Sequence, residues 1–419
     1  MMNNEEIKKD MEYCLNCKIK PCQKGCPLSN DIPTFIKLAK EGKIKEAYEI
    51  LINTTMIGSA CGRICPHTKQ CQGSCVRGIK GKPVQIGEIE AYVFDQAIKN
   101  GYDKEIEKSK TLEGKQIAVI GSGPAGLNCS AFLARAGANV TIFEKYNELG
   151  GILTHGIPDF RLEKDVIKNM ISSILNLGIR VEYGQELGKN ITIEELKKSY
   201  DAIFLGIGAN VPSKMNIDGE DLKGVYGGNS LLEKNDHPNY QGKNVAVIGG
   251  GNVAMDCART IQRQKPSKVY VIYRRSEKQM PAEKNEIEAA RKEGIEFLFQ
   301  NNIVMILGKD KVEQIECIKT ELVKKEGETR EVPIDIEKSN YLLDIDYVVM
   351  AIGSRPQREL LNKLNLELDE YGYIKVNEKY QTSDKKIYAG GDLIGQKATV
   401  AWAAMAGREA AKNIIEMLK

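Results

Sequence analysis

Apolar residues recur every three or four positions in two stretches of the first hundred residues. In residues 34–57 this spacing is interrupted once, at the polar stretch 41–43, so it predicts a hairpin of two helices. Residues 85–99 carry the same spacing and predict a further amphipathic helix. The charged stretch 103–115 follows without a clear period, and we interpret it as a linker.

From residue 116 the pattern changes to short, continuous apolar runs that end in glycine. Residues 117–120 are followed directly by Gly121, and residues 245–248 are followed directly by Gly249. A strand that ends in a glycine turn and continues as a helix is typical of parallel α/β sheets that bind dinucleotides. Because this unit occurs twice, the sequence predicts an α/β protein with two Rossmann-like domains.

The first glycine motif fits G-x-G-x-x-G, whose glycines allow a tight turn and let a pyrophosphate approach the helix N-terminus. Its residues are Gly121, Ser122, Gly123, Pro124, Ala125 and Gly126. The next apolar run, residues 140–143, ends in Glu144, whose carboxylate can accept hydrogen bonds from both ribose hydroxyls. Lys145, Gly151 and Ile152 follow as further candidate contacts. An ordinary glycine turn explains the motif alone, but the acid at this position favours a dinucleotide.

The second glycine motif has an alanine in place of the third glycine. Its candidate cofactor contacts are Gly249, Gly251, Asn252, Val253 and Ala254. The strand-like run 269–273 then ends in Arg274 and Arg275, where the first unit has an acid. Guanidinium groups bind phosphate oxygens in pairs and suit the 2′-phosphate of NADPH. We therefore predict FAD in the first site and NADPH in the second, with a solvated surface pair of arginines as the alternative.

A further glycine segment near the C-terminus places Gly391 and Asp392 just after a strand-like run. Many flavoproteins bind the ribityl and phosphate part of FAD with such a segment, so we predict that the FAD domain is split. The NADPH domain is then inserted between its halves, and Ala351 and Gly353 lie where the chain crosses back. The predicted regions are a helical iron–sulfur domain (1–108), the FAD domain (112–212 and 356–419) and the NADPH domain (213–355).

The cysteines are concentrated near the N-terminus. Eight of the eleven form two groups of four, namely Cys14, Cys17, Cys22 and Cys26, then Cys61, Cys65, Cys71 and Cys75. In a reducing compartment such clusters are more often metal sites than disulfide frameworks. Neither group has the paired C-x2-C of a zinc ribbon, whereas Cys-Pro after a closely spaced run is typical of bacterial ferredoxins. Iron–sulfur clusters are therefore favoured over two Cys₄ zinc sites. The scattered Cys129, Cys257 and Cys317 are predicted to be buried apolar residues.

Charge and hydropathy argue against nucleic acid as a partner and against a membrane-spanning helix. The chain has 60 basic and 57 acidic side chains, which is too even for the concentrated basic face of a nucleic-acid-binding protein. No apolar run approaches the length of about 18 residues that a membrane helix needs. The N-terminal segment is polar and acidic and does not have the pattern of a signal peptide, so a cytoplasmic location is expected.

Five segments carry a resemblance to a known family. They are Cys-Val-Arg-Gly-Ile-Lys-Gly (75–81), Gly-Ile-Pro-Asp-Phe-Arg-Leu (156–162), Gly-Gly-Gly-Asn-Val-Ala-Met-Asp (249–256), Tyr-Arg-Arg-Ser (273–276) and Ala-Gly-Gly-Asp (389–392). Over essentially its whole length the chain resembles the small (β) subunit family of NADPH-dependent glutamate synthase. It is equally similar to the N-terminal flavin portion of dihydropyrimidine dehydrogenase.

The resemblance implies ligands for two [4Fe–4S] clusters. These are Cys14, Cys17, Cys22 and Cys75 for one cluster, and Cys26, Cys65, Cys71 and Glu90 for the other. Cys61 would then be a neighbour, whereas simple counting favours all eight cysteines, and the choice stays open. The resemblance also implies that Arg161 and Leu187 lie near the flavin, and that Asp392 and Thr399 lie at the second FAD segment. His155 falls near the flavin by the same comparison and is interpreted as structural.

The implied activity is electron transfer by an NAD(P)H-dependent flavoprotein oxidoreductase. A hydride passes from NADPH to FAD, and electrons pass through the clusters to a partner subunit or a small redox acceptor. The glutamate synthase large subunit is the favoured partner; pyrimidine reduction, bifurcating ferredoxin:NADP⁺ exchange and polysulfide reduction are alternatives within the family. A hypothesis from a different class is a zinc-stabilised binding module that senses NADPH. No constellation of catalytic side chains is predicted.

Overall fold

The computed structural model describes residues 2–324 and 331–419 of the chain. Met1 and residues 325–330, which fall within the predicted iron–sulfur and NADPH regions, lie outside the described residues. The chain divides into two compact units, Met1–Ala209 with Pro356–Lys419, and Asn210–Arg355. The second unit thus begins close to residue 213, where the sequence predicts a boundary.

The described residues form fifteen α-helices and sixteen strands. The α-helices are α1 (Asn4–Tyr13), α2 (Pro21–Gly25), α3 (Ile32–Lys40), α4 (Ile44–Ile52), α5 (Gly58–Ile64), α6 (Ile86–Lys99), α7 (Pro124–Arg135), α8 (Ile152–His155), α9 (Lys164–Leu175), α10 (Ile193–Ser199), α11 (Gly228–Lys234), α12 (Asn252–Gln262), α13 (Lys284–Lys292), α14 (Arg358–Lys363) and α15 (Val400–Leu418). The strands are β1 (Gln116–Ile120), β2 (Asn139–Glu144), β3 (Arg180–Tyr183), β4 (Ala202–Leu205), β5 (Val211–Pro212), β6 (Val225–Gly227), β7 (Asn244–Ile248), β8 (Lys268–Tyr273), β9 (Glu296–Phe299), β10 (Asn301–Leu307), β11 (Gln314–Val323), β12 (Val332–Asp335), β13 (Tyr341–Asp344), β14 (Tyr347–Met350), β15 (Ser354–Arg355) and β16 (Ile387–Ala389).

The N-terminal helices confirm the two predictions from apolar spacing. Helices α3 and α4 form the hairpin, and Gly42 takes the positive φ of +78° that the turn between them requires. Helix α6 buries Ile86, Ile89 and Val93 on one face. These helices do not have a core of their own, because one continuous apolar cluster extends from Ile7 on α1 to the C-terminal helix α15.

The first unit contains a five-stranded parallel sheet in the order β16-β4-β1-β2-β3. Strand β16 comes from the C-terminal segment and pairs with β4, so the chain returns to this sheet after it has formed the second unit. The split α/β architecture predicted from the sequence is confirmed. Helix α7 follows β1, and α15 packs on it so closely that a Cβ atom at Gly407 would overlap the carbonyl of Ala125.

The charged stretch 103–115 is not a linker, and the prediction from its composition is wrong. Asp103 is buried and accepts a hydrogen bond of 2.7 Å from the Ser173 hydroxyl. The Ser109 amide donates to the Arg135 carbonyl over 2.8 Å, and Leu112 is fully buried. The segment packs along the first unit because its few apolar and hydrogen-bonding groups point inwards while its lysines and glutamates stay in water.

The second unit repeats the parallel architecture with an added antiparallel sheet. Its parallel strands have the order β6-β14-β7-β8-β9, and α12 follows β7. Strands β10, β11 and β12 form an antiparallel sheet in which β13 also pairs with β11, and β5 pairs with β15. Two apolar clusters fill this unit, and both consist entirely of residues between 215 and 351.

The remaining features concern the three scattered cysteines and the helices that could span a membrane. Cys129, Cys257 and Cys317 are fully buried, as predicted for scattered thiols. Across residues 2–324 and 331–419, no helix combines the length and the apolar character that crossing a bilayer requires.

Candidate functional site

The first glycine motif leaves open space in front of helix α7. Gly121 has a φ of +90°, and a Cβ atom there would lie 2.7 Å from the Gly206 carbonyl oxygen, so glycine is required. At Gly126 a Cβ atom would overlap the Gly121 carbonyl, which explains the close packing of helix and strand. Gly123 caps α7, and a Cβ atom there would meet no atom nearer than 3.9 Å. A phosphate group can therefore approach the N-terminus of α7 at Gly123.

Glu144 lies at the end of β2 and organises the loop around it. Its Oε2 accepts hydrogen bonds from the Ser122 amide (2.9 Å) and hydroxyl (2.6 Å), and its Oε1 accepts one from the Tyr146 amide (3.0 Å). The Gly150 amide in turn donates to the Ser122 hydroxyl over 3.0 Å. A carboxylate has about four acceptor positions. One position on Oε1 thus remains, which leaves room for one ribose hydroxyl where the sequence predicts two, because Glu144 also holds the loop.

The second pair of glycines approaches the first motif closely. Gly151 has a φ of +53°, and a Cβ atom there would lie 2.9 Å from the Cα of Gly123. The next residue, Ile152, is a large apolar side chain left exposed at this loop. The Lys145 ammonium lies 4.5 Å from the centre of the Tyr146 ring. The exposed apolar surface and the bare backbone beside Gly123 fit a site that a bound dinucleotide covers.

Three residues that the resemblance places near the flavin differ in their surroundings. The His155 ring lies 4.4 Å from the Tyr146 ring, and its Nε2 atom is buried without a hydrogen-bond partner in the described part of the chain. Arg161 is half-buried in a turn closed by its amide on the Pro158 carbonyl (2.9 Å). Leu187 is buried in the apolar cluster over the first sheet. Their contacts with a flavin stay a prediction.

The C-terminal glycine segment joins the first motif. Gly391 has a φ of +73°, and a Cβ atom there would lie 3.2 Å from the Cβ of Ala125 on α7. Burial raises the pKa of the adjacent Asp392 to about 6. Thr399 is the N-cap of α15, where its hydroxyl accepts a hydrogen bond of 3.4 Å from the Trp402 amide. The two predicted FAD segments, almost 270 residues apart in sequence, therefore form one site.

The second glycine motif has the same local geometry. Gly249 has a φ of +139°, and a Cβ atom there would overlap the carbonyl of Ala351, which places that predicted residue directly beside the motif. Gly251 caps α12, and the nearest atom to a Cβ there is 4.0 Å away. The Asn252 side chain accepts a hydrogen bond of 3.0 Å from the Glu283 amide, so it holds a neighbouring loop. The remaining predicted contacts are Val253 and Ala254 in the first turn of α12, and Gly353 with a φ of +107°.

The two arginines after β8 are held by their backbone and leave their side chains at the surface. The Thr320 hydroxyl donates to the Arg274 carbonyl (2.7 Å), and the Gln300 amide donates to the Arg275 carbonyl (3.1 Å). Arg274 is exposed and Arg275 half-buried. Within the residues that the structure describes, neither guanidinium forms an ion pair. Both groups are therefore available to a phosphate.

One group of cysteines lines a single apolar cavity, which we call the outer cysteine site. It consists of Cys14, Cys17, Cys22 and Cys75, which are the four residues predicted for one cluster. The remaining lining residues are Leu15, Pro21, Ile32, Pro33, Ile36, Val76, Arg77, Val84 and Ile86. Burial raises the pKa of Cys14, and it raises the pKa of Cys22 to about 11. Four thiols in an apolar cavity fit an iron–sulfur cluster, because a bound metal stabilises the thiolates that burial alone disfavours.

The other cysteines form a deeper group, the inner cysteine site, which consists of Cys26, Cys61, Cys65, Cys71 and Glu90. Burial, together with the charges of Glu90 and Cys65, raises the pKa of Cys26 to about 12. Burial also raises the pKa of Glu90 to about 8. Cys61 and Glu90 both lie beside Cys65. Either of them could therefore complete a cluster with Cys26, Cys65 and Cys71.

Three neighbours of the inner cysteine site were missed by the sequence analysis. The Asn30 side-chain amide donates to Glu90 Oε1 over 3.1 Å, and the Thr54 hydroxyl donates to the Asn30 carbonyl oxygen. The Ala401 backbone amide, in the first turn of α15, lies beside the Cys65 sulfur. A backbone contact of this kind leaves no signal in the sequence. In the described residues, no three Cys, His, Asp or Glu side chains converge as a site for a single metal ion.

Comparisons with known proteins agree with this architecture. Residues 115–410 match the family of pyridine nucleotide-disulphide oxidoreductases. Residues 1–102 match the family described as dihydropyrimidine dehydrogenase domain II, 4Fe-4S cluster. FprA from Mycobacterium tuberculosis has a similar fold, with a TM-score of 0.64 at 21% identity over 72% of this chain and 84% of that one.

Relatives similar over nearly their whole length define the family more closely. The chain is 37% identical to the glutamate synthase [NADPH] small chain of Escherichia coli (strain K12), over 99% of this chain and 92% of that protein. It is 36% identical to the corresponding small chain of Halomonas elongata, over 97% of this chain and 89% of that protein. The chain therefore belongs to the glutamate synthase small-chain family, and it is an NAD(P)H-dependent flavoprotein oxidoreductase with an N-terminal iron–sulfur domain.

Proposed function

We propose that this protein takes electrons from NADPH at the second glycine motif and delivers them, through FAD and two [4Fe–4S] clusters, to a partner protein. The observation that carries the proposal is the position of Arg408 on α15, which donates hydrogen bonds to the carbonyls of Leu28 (2.7 Å) and Thr54 (3.3 Å) in the loops around the inner cysteine site. The same helix begins at Val400, just after the second FAD segment, so the inner cysteine site adjoins the proposed flavin site. The outer cysteine site borders solvent, which suits a donor to an external acceptor.

Particular residues would hold each group. Glu144, the Gly123 amide region and the 391–392 segment would hold FAD, and Arg274 with Arg275 would hold the 2′-phosphate of NADPH. The outer cysteine site would hold one cluster, and Cys26, Cys65 and Cys71 with Glu90 or Cys61 would hold the other. When bound, a flavin and iron–sulfur clusters convert a two-electron donor into a source of single electrons. The side chains position these groups and exclude water from them.

The glutamate synthase large subunit is the favoured partner because the two relatives described above, which this chain matches over 89% and 92% of their length, are named as small chains of that enzyme. Supply of electrons for pyrimidine reduction, for ferredoxin:NADP⁺ exchange or for polysulfide reduction is the alternative. Mixing the protein with a glutamate synthase large subunit should give NADPH-dependent formation of glutamate from glutamine and 2-oxoglutarate. No glutamate, together with rapid reduction of ferredoxin, would instead favour the exchange reaction.

The first test is an anaerobic absorption spectrum with iron and zinc analysis, before and after addition of NADPH and then NADH. The proposal predicts flavin bands on a broad iron–sulfur shoulder, about eight iron atoms per chain, and faster bleaching by NADPH. Zinc without flavin would contradict it and would favour the NADPH-sensing module.

The nucleotide preference is tested by the double variant Arg274→Ala/Arg275→Ala. We expect the KM for NADPH to rise about ten-fold or more while the KM for NADH stays unchanged, because only NADPH has the phosphate that these groups bind. Arg358→Ala, which removes an exposed arginine from α14 in the other unit, is the matched control. Equal changes for both nucleotides would rule out this role for the arginines.

A further inference from the structure

The outer cysteine site lies directly beneath the protein surface. Leu15 lines its cavity and is also 51% exposed to solvent. Cys71 and Glu90 of the inner cysteine site are each only 5% exposed. A single layer of side chains therefore separates the outer site from water, and transfer of electrons to another protein is fastest across so thin a layer.

Exposed apolar side chains flank this thin layer. In the described residues, Ile79 (77%) and Ile19 (75%) are the most exposed large apolar side chains, and both lie within five positions of an outer-site cysteine. The two segments that carry them are held together, because the Arg77 guanidinium donates to the Tyr13 carbonyl over 2.8 Å and lies 4.1 Å from the Tyr13 ring. Leu15, Ile19 and Ile79 thus belong to one surface, and exposed apolar groups next to a functional site often mark an interface.

The two segments that carry this surface have charged side chains of one sign. Segments 13–30 and 66–87 contain no Asp or Glu, although the chain as a whole is nearly balanced in charge. Lys18, Lys24, Lys80 and Lys82 are exposed, and they form no ion pair among the described residues. Lys20 is not counted with them because it pairs with Asp31 over 2.6 Å. The surface around the outer site is therefore basic at its rim and apolar near its centre.

We propose that this surface, formed by Leu15, Ile19 and Ile79 with Lys18, Lys24, Lys80 and Lys82, is the docking site for an acidic electron-accepting protein. The inference rests on the proposed function, since it assigns the place and the charge of the partner. Apolar groups at the centre of an interface supply contact area, and a complementary charged rim accelerates encounter and selects the partner. The partner should carry carboxylates around its own redox centre.

The test uses the cofactor-loaded, full-length protein and oxidised flavodoxin, a small acidic one-electron acceptor, as the probe. Binding is measured without NADPH by calorimetric titration at low and at high salt, and flavin bleaching by NADPH is followed separately by stopped flow. We expect saturable binding that weakens as salt rises. The triple variant Lys18→Glu/Lys80→Glu/Lys82→Glu should weaken binding at least about ten-fold, and Ile79→Ser should weaken it at both salt concentrations.

Flavin bleaching should be unchanged in all these variants, because none of the altered residues belongs to a proposed cofactor site. The charge-matched control is Lys168→Glu/Lys198→Glu/Lys363→Glu, which changes three exposed lysines on α9, α10 and α14. Equal weakening by the control would overturn the assignment, as would absence of binding by the unmodified protein. A change from dimer to monomer in Ile19→Ser/Ile79→Ser, measured by sedimentation, would show a self-association surface and would also overturn it. If the protein binds flavodoxin but NADPH does not bleach its flavin, the proposed function is refuted while the docking site stands.

Discussion

Two acidic residues of the proposed FAD site have opposite surroundings. Glu144 accepts hydrogen bonds from two backbone amides and a hydroxyl, which compensate its charge within the loop. Among the described residues Asp392 receives no such side-chain hydrogen bond, and burial raises its pKa to about 6. Glu144 therefore stabilises the loop even when no ligand is bound. Ionisation of Asp392, in contrast, is unfavourable in the protein without ligand.

This difference predicts an effect of Asp392→Asn that depends on pH. A raised pKa in the folded state means that the folded protein tolerates the protonated carboxyl better than the ionised one. The stability of the folded protein is therefore highest below pH 4, where the carboxyl is protonated, and falls as the pH rises through 6. In the FAD-free protein the variant should therefore raise the free energy of unfolding at pH 8 by on the order of 2 kcal/mol, with no gain at pH 4. Urea unfolding at pH 4 and pH 8 measures the difference in the free energy of unfolding between the variant and the unmodified protein. The exposed Asp310→Asn should change neither value, and a gain at pH 4 would refute the explanation.

The ligands of the inner cysteine site can be separated by single substitutions. If Glu90 completes the cluster as the resemblance implies, Glu90→Gln and Cys65→Ser should lower the iron content from about eight to about four atoms per chain. Cys61→Ser should leave the iron content and the electron paramagnetic resonance spectrum unchanged. Cys129→Ala, a buried thiol outside both sites, controls for general damage. Loss of iron in Cys61→Ser alone would assign the role to Cys61 instead.

At the scale of secondary structure elements, helix α15 connects the proposed sites of the first unit. It begins at Thr399 beside the second FAD segment, its first turn contacts Cys65, and its middle packs on α7 at Gly407. The buried Arg408 of the same helix donates hydrogen bonds to the carbonyls of Leu28 (2.7 Å) and Thr54 (3.3 Å), in the loops around the inner site. The position of α15 therefore fixes the cysteine loops relative to the flavin segment.

Substitution of Gly407 tests the closeness of this packing. An alanine favours a helix by about 1 kcal/mol over glycine, so propensity alone predicts stabilisation. A Cβ atom at this position would overlap the backbone carbonyl of Ala125, which cannot move without shifting α7. We expect Gly407→Ala to destabilise the protein by about 2 kcal/mol and to lower its FAD content. Thermal unfolding and flavin absorbance measure both effects. Gly78→Ala, whose Cβ has ordinary contacts at 3.6 Å or more, should be neutral.

At the scale of the whole molecule, the two units differ in how they are assembled. The apolar clusters of residues 210–355 lie within that unit, and the segment is continuous in sequence. The first unit has a core that joins α1 to α15, so its N-terminal helices depend on residues at the other end of the chain. Cluster binding and the flavin site should therefore be lost together when this unit is disturbed.

This difference predicts the behaviour of two fragments. Residues 210–355 expressed alone should unfold cooperatively and bind NADPH with an affinity similar to that of the full chain, because the core and the second glycine motif are both included. Residues 1–108 should not fold alone, since much of their apolar surface is covered by later segments. Circular dichroism during heating should show a cooperative unfolding transition for residues 210–355 and no such transition for residues 1–108. A cooperatively folded 1–108 fragment would contradict the shared core.

Several features of this protein were determined by the sequence alone, because they depend on neighbouring residues. Apolar spacing specified the α3–α4 hairpin and α6, and the glycine motifs specified turns at Gly121 and Gly249, where a positive φ is required. The spacing of the cysteines separates them into residues 14–26 and 61–75, and only the resemblance groups Cys75 with Cys14, Cys17 and Cys22, whose thiols line one cavity in the structure. Spacing also does not distinguish Cys61 from Glu90, since both lie beside Cys65.

Other features were decided only by the tertiary structure, because they depend on residues far apart in sequence. The charged stretch 103–115 has the composition of a linker, yet Asp103 and Leu112 are buried by partners more than twenty residues away. The contact of Cys65 with Ala401 spans more than 300 positions and uses a backbone amide, which every residue except proline has. Local patterns report what a segment can form, whereas burial and long-range hydrogen bonds depend on which segments the fold brings together.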